Sequence, residues 1–99
     1  MLFGNKVREL REKQGLVLRQ LAAALEIDTA TMSKIELGDR QARKDQVTQL
    51  AEILNADTEY LYTLWLASKV YEVIEGEDMA IEALKVAEEE VQYQKSGRA

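Results

Sequence analysis

The sequence predicts an all-α chain of about six helices. Three observations lead there. No proline interrupts the 99 residues, so nothing removes a backbone donor or clashes with a preceding helical turn. Apolar residues make up 46% of the chain and recur at spacings of three and four, the mark of one helical face. Three of the five glycines, Gly15, Gly38 and Gly76, fall where those periodic segments end.

The elements follow in order. Phe3, Val7 and Leu10 share one face of a first helix from about Asn5 to Gln14. Asn5 is its expected N-cap and Gly15 its left-handed end. Leu16 follows as a core plug. Leu18, Leu21, Ala22 and Leu25 mark a short second helix, broken by Glu26-Ile27-Asp28. Asp28 can cap a third helix by accepting from backbone N–H groups near residues 30 and 31. Met32, Ile35 and Glu36 form that helix's inner face, and Gly38 stops it. Asp39 to Arg43 is a polar loop. Val47, Leu50, Ala51 and Leu54 give a fourth helix with Asn55 as its C-terminal cap. Asp57 caps a fifth, which carries Leu61, Leu64, Trp65, Leu66, Val70, Val73 and Ile74 on more than one side. After Gly76-Glu77-Asp78, a sixth runs from about Met79 to Tyr93. Its stripe is Ala80, Ile81, Leu84, Ala87 and Val91. No internal repeat and no low-complexity tract is expected.

Composition narrows the function. Without cysteine or histidine there is no disulfide framework or thiolate metal site, and the commonest general base and metal ligand is missing. No glycine-rich phosphate loop is present. Glu77–Asp78 reads as helix capping and Glu88-Glu89-Glu90 as a solvated face, neither as acid/base or metal chemistry. The chain is therefore not expected to be an enzyme, to hold a metal or cofactor, or to take a small-molecule ligand. No apolar run approaches a membrane span, and the first five residues are too short an apolar stretch for a secretory signal. A cytoplasmic, nucleoid-associated protein is expected.

The net charge of −5 is unevenly spread. Residues 1–55 hold nine Lys/Arg against eight Asp/Glu, a net of +1. Residues 56–99 hold four against ten, a net of −6. An acidic half of this kind should point away from phosphate.

Two short helices joined by a tight turn can lay the second one in a major groove. That helix must bury one face, carry small or polar side chains on the other, and turn its N-terminus to DNA. Residues 29–37 meet these demands. Ala30, Ser33 and Lys34 lie opposite the inner face, flanked by Thr29 and Thr31, and these five are the expected base contacts. Methyls suit thymine, hydroxyls suit either donor or acceptor, and Lys34 suits guanine or a phosphate.

The strings Gly15-Leu16-Val17-Leu18-Arg19-Gln20-Leu21-Ala22, Ile27-Asp28, Met32-Ser33-Lys34-Ile35-Glu36-Leu37-Gly38-Asp39-Arg40 and Leu50-Ala51-Glu52-Ile53-Leu54 resemble the phage repressor/Cro-type (xenobiotic-response-element) helix-turn-helix regulators of bacteria and their phages. The resemblance covers about residues 4 to 61. It implies five short helices, the second and third reading DNA, with a C-terminal helical extension. It also implies a structural ion pair between Arg11 and Glu36, and a DNA backbone contact at Arg40. Where the family has Ser-Gln or Asn-Gln before the second helix, this chain has Val17-Leu18, with Arg19 or Gln20 as substitutes for the glutamine clamp. Glu26 replaces the turn glycine and Ala42 the loop proline. Arg43 and Lys44, at the start of the fourth helix, are further expected phosphate contacts.

The expected organisation is a DNA-binding domain over 1–61, a dimerisation extension over 62–94 and a flexible tail over 95–99. Leu64, Trp65, Leu66, Val70, Val73 and Leu84 are the expected dimer interface. The resemblance implies a transcription regulator, a repressor or a restriction–modification controller, acting as a homodimer on a palindromic operator in double-stranded DNA. The alternative is an antitoxin or protein-interaction module that keeps the same fold.

Overall fold

The computed structural model describes residues 2–97. Six helices follow one another, and among the described residues there is no strand: α1 (Phe3–Lys13), α2 (Leu18–Ala24), α3 (Thr29–Leu37), α4 (Lys44–Ile53), α5 (Thr58–Ile74) and α6 (Ala80–Lys95). Lys95 thus closes α6 instead of opening a tail, and Arg98 and Ala99 lie outside the described residues.

Helices α1 to α5 pack around one core. Val7, Leu21, Met32, Val47, Leu50 and Leu61 are wholly buried, with Phe3, Leu25, Ile35 and Leu54 nearly so. Each large apolar side chain so buried contributes roughly 1.5–3 kcal/mol relative to exposure. The sequence periodicity in α2, α3 and α4 selects these same residues because each helix has one inner stripe. No residue of the sixteen-residue α6 is fully buried. Ile81, Val86 and Val91 remain 60%, 65% and 52% exposed on it.

The first helix starts earlier than its pattern predicts. Leu2 is the N-cap residue and makes no side-chain cap, so Asn5 lies inside the first turn and caps nothing. The Phe3 N–H instead donates to Ser68 Oγ at 3.0 Å, from 65 residues away. Next to it, Gly4 is buried where α1 crosses α3. A Cβ there would lie 2.4 Å from the Glu36 carbonyl oxygen, so only glycine permits this approach.

The chain also repeats itself, contrary to the expectation from its sequence. Residues 20–29, QLAAALEIDT, align with residues 49–58, QLAEILNADT, at an offset of 29. Both segments end a helix, turn through a left-handed non-glycine residue, and begin the next helix behind an aspartate cap. The turn residues are Glu26 at φ 57° and Asn55 at φ 53°. Asp28 accepts from the Thr31 N–H at 2.7 Å and Asp57 from the Glu59 N–H at 3.3 Å. The connection α2–α3 and the connection α4–α5 are therefore one device used twice.

Candidate nucleic-acid interface

The helix-turn-helix unit is α2, the turn at Glu26–Asp28, and α3. Its second helix buries Met32, Ile35 and Glu36. That leaves Thr29, Ala30 and Lys34 exposed, with Thr31 and Ser33 half-buried beside them. From Thr29 to Lys34 the outward side chains are short except for Lys34 itself, so this part of the α3 backbone can approach a surface closely; the exposed Leu37 stands at the far end of the helix. The N–H groups of Thr29 and Ala30 precede the first intrahelical bonds and point off the N-terminus. Thr31, through its side chain and its backbone N–H, holds the Asp28 carboxyl below its ordinary range, with Lys34 and Arg40 adding to the effect. Lys34 and Arg40 thus share the neighbourhood of the α3 N-cap.

The inner side of α3 is clamped to α1 by charge. Arg11 Nε donates to Glu36 Oε2 at 2.8 Å and Arg11 Nη2 to Glu36 Oε1 at 3.1 Å, a two-pronged pair. A third guanidinium bond goes from Nη1 to the Leu16 carbonyl at 3.0 Å. The Glu36 side chain is 5% exposed and that of Arg11 13%. The pair raises the Arg11 pKa above its ordinary value against the opposing effect of desolvation. With three of the fork's N–H groups so engaged, the pair holds α1 against α3 in one geometry.

The cations expected at phosphates fall into two groups. Among the described residues, the side chains of Arg19, Lys34 and Arg40 are exposed and without a carboxylate within ion-pair distance. Arg43 is engaged: Nε and Nη2 reach the two Asp45 oxygens at 3.1 and 3.3 Å. Lys44 stands 5.8 Å from the Tyr62 ring centre. Gln20 is half committed. Its Oε1 accepts from the Val17 N–H at 2.7 Å and caps α2, which leaves the amide NH2 as the donor it could offer. Gln46 repeats that cap at α4 by accepting from the Arg43 N–H at 2.8 Å.

The loop from Gly38 to Arg43 is held from behind. Gly38 takes the left-handed conformation at φ 86° that ends α3. The Asp39 and Arg40 N–H groups turn back to the Lys34 carbonyl at 2.9 and 3.3 Å. Buried Ala42 gives its carbonyl to Trp65 Nε1 at 2.7 Å. Gln41 Nε2 donates to Glu72 Oε2 at 3.1 Å.

These contacts correct one expectation. Trp65 is only 7% exposed. Its ring meets Tyr62 edge-on with centres 6.4 Å apart and is covered by Lys69 Nζ at 4.3 Å. It belongs to the core of its own chain, since an indole with its N–H satisfied there has little surface left for another. Leu64 packs partly against the same core. Leu66, Val70 and Val73 are 56%, 45% and 77% exposed on the outer side of α5, and Leu84 is half-buried on α6. Sequence reasoning passed over Gly4, Gln41, Ser68 and Glu72. Their partners lie far along the chain, and no local spacing carries them.

Among the described residues no acidic cluster could hold a metal ion, and no helix is long and apolar enough to cross a membrane.

Residues 2–61 match the family described as helix-turn-helix domain. Over 60 residues the chain is 42% identical to the protein named "Uncharacterized HTH-type transcriptional regulator RghRB" of Bacillus subtilis (strain 168), a stretch that covers 60% of this chain and 43% of that protein. The chain thus matches less than half the length of this curated relative. No solved structure matches it. With more than half its residues inside the matched domain, and with α2, the turn and α3 in the arrangement described, the chain belongs to the helix-turn-helix domain family.

Proposed function

We propose that this chain is a transcription regulator that binds duplex DNA by laying α3 in the major groove. One observation carries the reading: α3 presents Thr29, Ala30 and Lys34 outward while Met32, Ile35 and Glu36 are locked inside. Thr31 and Ser33 complete the base-reading face. Arg19, Gln20 and Arg40 contact the sugar–phosphate backbone, and Arg43 and Lys44 join them once Arg43 releases Asp45. The similarity to a protein named as a transcriptional regulator supports this.

The reading extends to a homodimer on a palindromic operator, paired through Leu66, Val70, Val73 and Leu84, of the Cro/C1 type and acting as a repressor or restriction–modification controller in the cytoplasm. Support for pairing comes from α6. A helix of this length is marginal in water without tertiary packing, and no residue of α6 is fully buried. The same exposed acidic helix is what favours the second reading, an antitoxin or protein-interaction module.

Selection of bound duplexes from random DNA decides between them. A twofold-symmetric consensus is expected. Lys34→Ala should weaken binding to it by about 1–3 kcal/mol and relax preference at one position per half-site. Recovery of no consensus, or indifference to Lys34→Ala, would overturn the base-reading face.

A further inference from the structure

The part of α5 from Trp65 onward lies beyond the stretch shared with the helix-turn-helix domain and is hydrogen-bonded to that domain at three points. Trp65 Nε1 holds the Ala42 carbonyl at 2.7 Å, and that bond is buried. Glu72 Oε2 accepts from Gln41 Nε2 at 3.1 Å. Ser68 Oγ accepts from the Phe3 N–H at 3.0 Å while donating to the Leu64 carbonyl at 2.9 Å. All three partners lie within residues 2–61, the matched domain, and all three donors or acceptors lie outside it. Two of the contacts fall on the loop that carries Arg40. Arg40, Gln41, Ser68, Tyr71 and Glu72 line one groove of about 330 Å³ between this loop and α5.

We infer that Trp65 and Glu72 are positioning residues for DNA binding: together they brace the α3–α4 loop so that Arg40 is presented to the backbone in one orientation. The inference rests on the proposed DNA reading. The physical reason lies in the loop itself. It has polar side chains at Asp39, Arg40 and Gln41 and only Ala42 in the core, so burial anchors it at one end alone, and at the other the Asp39 and Arg40 N–H groups share the single Lys34 carbonyl. A guanidinium on an unbraced loop would lose conformational freedom on reaching a phosphate, and prior fixing of the loop removes that cost. The indole N–H supplies a rigid donor from the core, and the Glu72 carboxylate supplies a second hold one residue nearer Arg40. The extension therefore acts on DNA without touching it.

The test is duplex binding across a salt series for the full chain, with Trp65→Phe, Glu72→Ala, Glu72→Gln and Arg40→Ala, singly and combined. Trp65→Phe keeps the ring and removes the donor. Glu72→Ala and Glu72→Gln have the same charge, but only the glutamine keeps an acceptor. With Arg40 present, Trp65→Phe and Glu72→Ala should each weaken binding to all sequences alike, by roughly threefold to tenfold, as coupled neighbours do, and flatten the salt slope. Glu72→Gln should stay close to the parent. In the Arg40→Ala background all three should have no further effect. Equal losses with and without Arg40 would overturn the bracing role. Should Trp65→Phe unfold the chain, the surface pair at position 72 still decides, because Glu72→Ala and Glu72→Gln behaving alike also overturns it. If Arg40→Ala itself leaves the salt slope unchanged, the backbone contact of Arg40 is wrong and the brace falls with it. If Arg40→Ala flattens the slope and the α5 variants do not depend on Arg40, the DNA reading stands and the brace alone fails.

Discussion

Arg11 and Glu36 show how a single buried pair can set the pose of a whole helix. Taking either partner away leaves the other charge desolvated, which is costlier than removing both. Arg11→Met should cost about 3 kcal/mol, and the double variant Arg11→Met/Glu36→Leu distinctly less. Urea denaturation of the three proteins checks this; equal losses would mean the pair is not coupled. The carboxyl of Asp28 behaves differently because it is exposed. Its pKa lies below the ordinary value through its bonds to Thr31, so its capping contribution is complete above the unfolded pKa of about 3.9 and is lost as pH falls through the lower folded value. Thermal melts followed by circular dichroism should therefore show acid destabilisation below about pH 4 that is smaller in Asp28→Asn, which keeps a capping oxygen but cannot titrate. Both residues were legible from the sequence. Asp28 sits immediately before an apolar-periodic run, and Glu36 is the one charged residue on an inner face. Gly4 was not legible, because its role depends on the Glu36 carbonyl lying 2.4 Å from where a Cβ would stand. Nothing in the neighbouring residues announces that crossing.

At the level of elements, the periodic stripes of α2 to α4 could be read directly, since each has one buried side. The start of α1 could not, because Phe3 finds its hydrogen-bond partner on α5. The repeated turn is hidden in the sequence for a different reason. Its signal is ordinarily a glycine, and here the left-handed position is held by Glu26 in one copy and Asn55 in the other. Asparagine tolerates that conformation better than glutamate does. Replacing Glu26 should accordingly help stability: Glu26→Gly relieves the left-handed cost but gives back some chain entropy in the unfolded state, for a net gain of about 0.5 kcal/mol. The midpoint in urea should rise with an unchanged slope. A fall in the midpoint would show that the Glu26 side chain earns its place through a contact in the folded state. The fifth helix is legible only in part because it is apolar on several sides, and periodicity alone cannot say that Trp65 faces inward to Ala42 while Leu66 faces out.

Across the whole molecule, the five-helix body, residues 1–74, holds ten Lys/Arg against eleven Asp/Glu, a net of −1, and residues 75–99, which carry α6, hold three against seven, a net of −4. In the proposed dimer, α6 gains the burial it lacks alone. Hydrogen exchange should then show α6 amides protected at high chain concentration and losing protection on dilution, while those of α4 stay protected throughout. Leu66→Asp, on the exposed side of α5, should make the protection of α6 low at every concentration and halve the sedimenting mass. Concentration-independent protection of α6 would argue against pairing.

Helix α5 runs from Thr58 to Ile74 without a break, so it begins inside the matched domain and ends outside it. At 1.5 Å per residue it is a rod of about 25 Å, cemented along one side, from Leu61 to Glu72, into the body that carries α3. Two such rods joined side by side would hold their reading heads at one separation and one relative rotation. An operator lengthened by a single base pair would demand a twist of roughly 34° and a shift of about 3.4 Å between half-sites, and there is no hinge along the rod to supply either. The distance between half-sites would then be as much a part of the recognised sequence as the bases themselves.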